Sequence, residues 1–196
     1  VNEHVLIPRQ DTETLVELVL SEHKEKNISL LDVCTGSGCI AISLAKLGGY
    51  TDVTALDLSE EALKVARSNG EKLLDQPVKF IKSDMFSALN PEKQYNVIVS
   101  NPPYIPSQVI EGLEPEVKDH EPRMALDGEP DGLKFYRILA EEGKKYLKNG
   151  GSIYMEIGWD QAKDVTKIFE IMGFKGLRTV RDMTGNDRVV CARKEK

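Results

Sequence analysis

Short apolar runs and segments of helical period take turns along this chain, with Gly, Pro and Asp between them. An extended lead-in ends at Ile7-Pro8. The pattern then predicts a helix over 11–24, with Asp11 or Thr12 at its N-cap. A strand is expected over 28–33, followed by a Gly-rich turn into a helix over 39–47. Residues 53–56 predict a second strand, ending at Asp57. Ser59 is placed to cap the next helix, with Glu60 and Glu61 where the helix dipole favours acids. A third strand over 78–81 ends near Asp84, and a fourth over 95–99 runs into Asn101-Pro102-Pro103-Tyr104. Residues 105–130, rich in Pro, Gly and acids, read as one long loop, a feature often tied to function. Helices over 131–147 and 160–172 flank a fifth strand over 152–156. Two last strands, 175–181 and 188–192, are joined by a turn at 184–187.

Repeated β-α units give a parallel sheet with helices on both faces. The terminal β-β pair must add one antiparallel strand. The expectation is therefore a single three-layer α/β domain over 1–196, with 1–10 as an extended lead-in. A composition of 40% hydrophobic and 30% charged residues fits a globular chain. No apolar run approaches the roughly 20 residues of a membrane span. The start of the chain has no signal-peptide pattern. Three cysteines, an odd and small number, suit a reducing compartment, so a cytoplasmic protein is expected. Cys34 and Cys39 have no matching second pair, and no metal is expected. Net charge is −6 and the pI is near 5.2. Proteins that grip nucleic acid by its phosphates usually show a basic surface, so direct nucleic-acid binding is not expected.

The first candidate chemistry is the segment Asp32-Val33-Cys34-Thr35-Gly36-Ser37-Gly38, between a strand and a helix. Gly36 and Gly38 permit tight turning and close approach of a ligand to bare backbone. The helix N-terminus offers free N–H groups. Asp57, at the end of the next strand, can accept from both ribose hydroxyls of a nucleoside cofactor. Asp84 can accept from an adenine amino group, and Met85 or Phe86 can cover the ring. These features alone also fit a dinucleotide site, so an NAD enzyme stays open.

Asn101-Pro102-Pro103-Tyr104 narrows the reading. It follows an apolar strand, so it should lie at the carboxyl edge of the sheet, where ligands bind in open α/β folds. Asn101 offers a side-chain carbonyl oxygen. Pro102 and Pro103 keep backbone carbonyls but have no N–H. Such a turn presents two acceptors, which an –NH2 group requires, and Tyr104 can stack on a flat target. The arrangement points to methylation of a planar amide or amine nitrogen. His4, His23 and His120 are read as surface or packing residues.

With these motifs in order, the chain resembles the class I methyltransferases, and within them the HemK-like release factor glutamine N5-methyltransferases. The likeness runs through Leu6-Ile7-Pro8-Arg9-Gln10-Asp11-Thr12-Glu13, Thr35–Gly38, Asn101–Tyr104 and Glu121-Pro122-Arg123. It continues through Asp131-Gly132-Leu133, Glu156-Ile157-Gly158 and Gly185-Asn186-Asp187-Arg188. The resemblance implies a Rossmann-like, mostly parallel seven-stranded sheet. It implies S-adenosylmethionine as cofactor and a release factor as protein substrate, methylated on the glutamine of a Gly-Gly-Gln motif. Cys34, Thr35, Gly36, Ser37, Gly38, Asp57, Asp84, Met85 and Asn101 would line the cofactor. Asn101 and Pro102 would grip the glutamine, with Pro103 and Tyr104 completing the substrate site. Arg9 and Glu13 are candidates for closing it. Gln10, Cys34 and Met85 depart from the family's usual residues. The family's small N-terminal helical domain is missing, so the catalytic domain alone is expected.

Two other classes compete. A DNA or RNA exocyclic-amine methyltransferase would use the same two acceptors after base flipping. A nucleoside-binding module without catalysis would keep the cofactor features and transfer nothing.

Overall fold

A computed structural model describes residues 1–195. A single 3-10 turn (Gln10–Thr12) leads into α1 (Glu13–Glu22), and the alternation follows as β1 (Ser29–Val33), α2 (Cys39–Gly48), β2 (Asp52–Asp57), α3 (Glu60–Leu73), β3 (Lys79–Lys82) and β4 (Tyr95–Ser100). Three one-turn helices come next: α4 (Ser107–Ile110), α5 (Pro115–Lys118) and α6 (Arg123–Leu126). The chain ends with α7 (Lys134–Glu141), α8 (Gly143–Tyr146), β5 (Leu147–Glu156), α9 (Ala162–Ile171), β6 (Lys175–Arg181) and β7 (Asp187–Arg193).

The seven strands form one sheet in the order β3-β2-β1-β4-β5-β7-β6. The pairs among β1 to β5 are parallel, and β7 runs antiparallel to both neighbours. This is the expected sheet with its one reversed strand. The central strand β1 is buried along its whole length, as a strand covered on both faces must be. On one face, Leu15 and Val19 of α1 and Ile40 and Leu44 of α2 pack on Leu30, Val53 and Val97. On the other, Tyr136 and Leu139 of α7 and Val165 and Phe169 of α9 pack on Leu31, Ile98 and Ile153.

Strand order reverses between β1 and β4, and the loops leaving them diverge there. Register then fixes what meets at that edge. Val33 pairs with Leu56 and with Ser100, and Ser100 pairs with Met155. One residue further on, Asp57, Cys34, Asn101 and Glu156 follow in a row across the carboxyl edge.

Several boundaries differ from the sequence expectation for local reasons. Helix α1 stops at Glu22, two residues early, because His23 is extended and held at both ends. Its carbonyl accepts from the Tyr50 hydroxyl at 2.6 Å, and its ring Nε2 lies 2.8 Å from the Tyr154 hydroxyl. The expected helix over 131–147 is shorter and broken. Gly132 has a φ of +71° and belongs to the preceding loop, Gly143 begins a separate turn, and Leu147 already pairs with Tyr95 in the sheet. The segment 105–130 is not one structureless loop. It carries α4 to α6 and is tied to the end of the Asn-Pro-Pro-Tyr turn, where Ile105 N–H donates to Leu126 O at 3.0 Å and Gly128 N–H to Ile105 O at 2.9 Å. The expected caps at Asp11 and Thr12 make no side-chain cap bond, whereas Ser59 does, accepting from Ala62 N–H at 3.1 Å.

Candidate active site

A cleft opens at the carboxyl ends of β1, β2 and β4. Cys34, Thr35, Gly36, Ser37, Asp57, Asp84, Met85, Asn101 and Pro103 all line it. Gly36, at φ +55°, leaves the backbone bare, since a Cβ there would meet nothing within 4 Å. Gly38 does different work. A Cβ at that position would stand 3.0 Å from Ile42 and 3.1 Å from Ala66, so its role is to let α2 approach α3. Phe86 is also turned away. It is buried and stacks on Tyr146 with ring centroids 5.2 Å apart, which leaves Met85 as the side chain facing the cleft.

The two acids of the Gly-rich turn divide the labour. Asp32 is fully buried. Its Oδ2 accepts from the Thr35 hydroxyl at 2.6 Å and from Ala41 N–H at 3.2 Å, while Oδ1 has no partner. Burial pushes its carboxyl up to about 7, with the two hydrogen bonds pulling the other way. Asp57 holds the turn from the next strand. Its Oδ2 accepts from Gly36 N–H at 2.8 Å and its Oδ1 from Ser59 N–H at 2.9 Å. Burial raises the Asp57 pKa against those bonds. Each oxygen keeps lone-pair capacity toward the cleft. Cys34 and Met85 both have positive φ, at 62° and 47°, and their sulfurs lie 3.9 Å apart. Burial raises both the Cys34 and Cys39 thiols, so neither is an activated thiolate.

Asn101 is half-buried and Pro102 and Pro103 are buried. The turn is clamped from behind. Gln161, buried at the start of α9, donates from Nε2 to Tyr104 O at 2.9 Å and to Gly132 O at 3.3 Å, and its Oε1 accepts from Gly158 N–H at 2.9 Å. Gly132 is forced by the same contact, because a Cβ there would fall 2.4 Å from Tyr104 O. Gly132→Ala therefore combines a left-handed backbone with a steric overlap. A loss of about 2 kcal/mol is expected, read as a fall of about 4–8 °C in Tm. An unchanged melting curve would show that the clamp is slack. Pro102 and Tyr104 are not in the cleft wall. The Tyr104 side chain packs against the core on the α7 and α9 face of the sheet, and burial pushes its hydroxyl up to about 12.

The cleft is roofed by the lead-in and by Pro122 with α6. Val5, Leu6 and Arg9 face Pro122, Met124 and Ala125 across it. Arg9 Nη2 donates to both oxygens of Glu121, at 2.8 and 3.0 Å, and the Glu121 side chain is only 2% exposed. Glu13, the other candidate for closure, lines a separate shallow groove between α1 and α2. The sequence did not single out Gln161. Glu121 and Glu156 stood there only within the motifs that carry the resemblance, with no role assigned to either.

Fold and cleft together define a class I methyltransferase. The methyltransferase small domain family matches residues 10–112. A release factor glutamine methyltransferase of Fusobacterium nucleatum is 45% identical over 98% of this chain, and one of Thermodesulfovibrio yellowstonii is 43% identical over 98%. The chain spans 55% of the first protein's length and 70% of the second's. Among solved structures, a release factor-specific protein-(glutamine-N5) methyltransferase from Alicyclobacillus acidocaldarius is 31% identical, with a TM-score of 0.58 over 97% of this chain and 95% of that one. The chain belongs to the release factor glutamine methyltransferase family.

Proposed function

We propose that this chain transfers a methyl group from S-adenosylmethionine to the side-chain amide nitrogen of a glutamine, in the Gly-Gly-Gln motif of a peptide chain release factor. The observation that carries the reading is the placement of Asn101 in one row with Cys34 and Asp57, on the wall of one cleft.

The residues present fit the cofactor. Bare backbone at Gly36 gives room, the half-buried Asp57 carboxylate offers acceptors for vicinal hydroxyls, and Met85 and Leu56 supply apolar walls. Bound there, S-adenosylmethionine supplies an electrophilic methyl on a sulfonium sulfur. Asn101 Oδ1 on the cleft wall, and the Pro102 carbonyl in the turn just outside it, accept hydrogen bonds from the two N–H groups of the glutamine amide. That nitrogen is a weak nucleophile because its lone pair is shared with the carbonyl; the rotation barrier of about 18–20 kcal/mol in peptides measures that sharing. Two fixed acceptors hold the nitrogen in an attack geometry and support the positive charge that grows on it. Its proton then leaves to water, so no side-chain base is required. Such a substrate would put the reaction in the cytoplasm. Among the described residues no helix is long and apolar enough to cross a membrane.

The Arg9–Glu121 pair acts in this scheme as the latch of the roof. Glu121→Gln weakens a charge-assisted pair, buried on its Glu121 side and open to solvent on its Arg9 side, without emptying the space. S-adenosylmethionine is expected to dissociate about tenfold faster, the effect of about 1.4 kcal/mol. Stopped-flow displacement reads this, and an unchanged off-rate would show that the roof does not gate the cofactor.

Offering methyl-labelled cofactor with a release factor in one reaction and with DNA or RNA in another separates the protein reading from the nucleic-acid one. Label should enter the protein alone. Label in nucleic acid would overturn the reading.

A further inference from the structure

Glu156 ends β5 in a setting that costs free energy. Its side chain is 1% exposed, and its Oε2 has no hydrogen-bond partner among the described residues. A buried acid with an orphaned oxygen is expensive to keep. The Arg188 charge offsets part of that cost without pairing with the carboxyl. The Arg188 guanidinium is engaged elsewhere, with Asp182 and Asp11 at 3.1 Å each and with Ile157 O at 3.3 Å. The Glu156 backbone carbonyl is separately used, accepting from the Tyr136 hydroxyl at 2.8 Å.

Two features place the carboxyl beside the turn that grips the substrate. Parallel pairing of Ser100 with Met155 sets Asn101 next to Glu156 in register. The Thr12 side chain, the Arg188 charge and the Asn101 side chain lie close enough to favour its ionised form, against the burial that raises its pKa. The other ionisable groups around it are Asp11 and Arg188, with Tyr104, Tyr136 and Cys39.

We infer that Glu156 is a positioning residue: its carboxylate accepts from the Asn101 amide N–H and so turns Asn101 Oδ1 toward the substrate –NH2. This rests on the glutamine reading for its consequence and names what fixes that site's polarity. An asparagine amide has a donor end and an acceptor end of nearly equal shape. Without an outside acceptor, the flipped amide would present N–H to N–H, and the grip would become a repulsion. A carboxylate can only accept, so it selects one of the two orientations.

The test uses Glu156→Met and Glu156→Gln in the whole chain. Methionine keeps the volume and removes a buried charge, so the Met variant should melt no lower than wild type. Its kcat should nonetheless fall at least about tenfold, the effect of one misdirected hydrogen bond of about 1.4 kcal/mol, while KM for S-adenosylmethionine stays within about twofold. Glutamine can still accept from Asn101 in one of its own two orientations, so the Gln variant should lie between. The Asn101 side-chain amide signals in a ¹⁵N spectrum, assigned by their loss in Asn101→Asp, should shift in the Gln and Met variants. A purely structural Glu156 predicts the reverse, a lowered Tm with those signals and kcat unmoved. That outcome, or unshifted Asn101 signals in a folded Gln variant, overturns the inference. Wild-type methylation of a release factor tests the glutamine reading separately, and the Asn101 signals report on Glu156 whatever the substrate proves to be.

Discussion

Asn101→Ala is expected to lower kcat by about 10²–10³-fold, the scale set by removing one preorganised polar group aimed at a developing charge. The reasoning is local. Asn101 lies past the end of β4, beyond the strand's last hydrogen bonds to β1 and β5, so truncating it leaves the sheet intact. Its loss removes one of two acceptors from the amide, and Pro102 cannot replace it, because its carbonyl direction is fixed by the buried proline pair. Cofactor affinity should change by no more than about threefold, since Asp57 and the Gly36 turn are untouched. Equal turnover in the mutant would remove the two-acceptor mechanism. Equal losses in turnover and cofactor affinity would make Asn101 a cofactor residue only.

Asp57→Ala should act on the other half of the site. Two backbone N–H groups, Gly36 and Ser59, donate to its carboxylate at 2.8 and 2.9 Å, and the residue lines the cleft. A hydrogen bond to a charged group contributes about 1.5–3 kcal/mol. Losing the hydroxyl acceptors and loosening the turn together should weaken S-adenosylmethionine binding by on the order of 100-fold, measured by calorimetry. The mutant should still transfer methyl groups at saturating cofactor. An unchanged Kd would take Asp57 out of the site. The raised Asp57 pKa carries a sign that can be checked alongside. Its ionised form is disfavoured in the fold, so this group's contribution to stability is full below the ordinary carboxylate range and declines as pH rises through the raised pKa.

What could be read from the sequence was what is local in sequence. Strands β1, β2 and β4 are apolar runs cut off by Gly, Asp and Asn, so period and punctuation locate them and their carboxyl ends. The site residues Gly36, Asp57 and Asn101 sit at those ends and Met85 follows β3, and topology gathers them in one cleft. The resemblance supplied the target that these residues alone left open. What stayed hidden depends on contacts distant in sequence. Gln161 reaches Tyr104 across 57 positions, and Arg9 reaches Glu121 across 112. Neither leaves a periodic signal. Gly38 fits a ligand-binding Gly-rich turn by spacing, yet its lack of a Cβ serves the contact with Ala66. Phe86 and Met85 are adjacent and both apolar, and only the backbone at Met85, with its positive φ, decides which faces the cleft. The helices within 105–130 escaped because one-turn helices have no room for a stripe.

A planar –NH2 held by Asn101 and Pro102 is the centre of the mechanism, and the most direct test localises the product. A release factor incubated with this chain and methyl-labelled S-adenosylmethionine, then digested and fragmented in a mass spectrometer, should carry one added methyl on the side-chain nitrogen of the glutamine in Gly-Gly-Gln. Label on a carboxylate, a lysine or a backbone position, or a Gly-Gly-Gln peptide left unmodified while the cofactor is consumed, would contradict it.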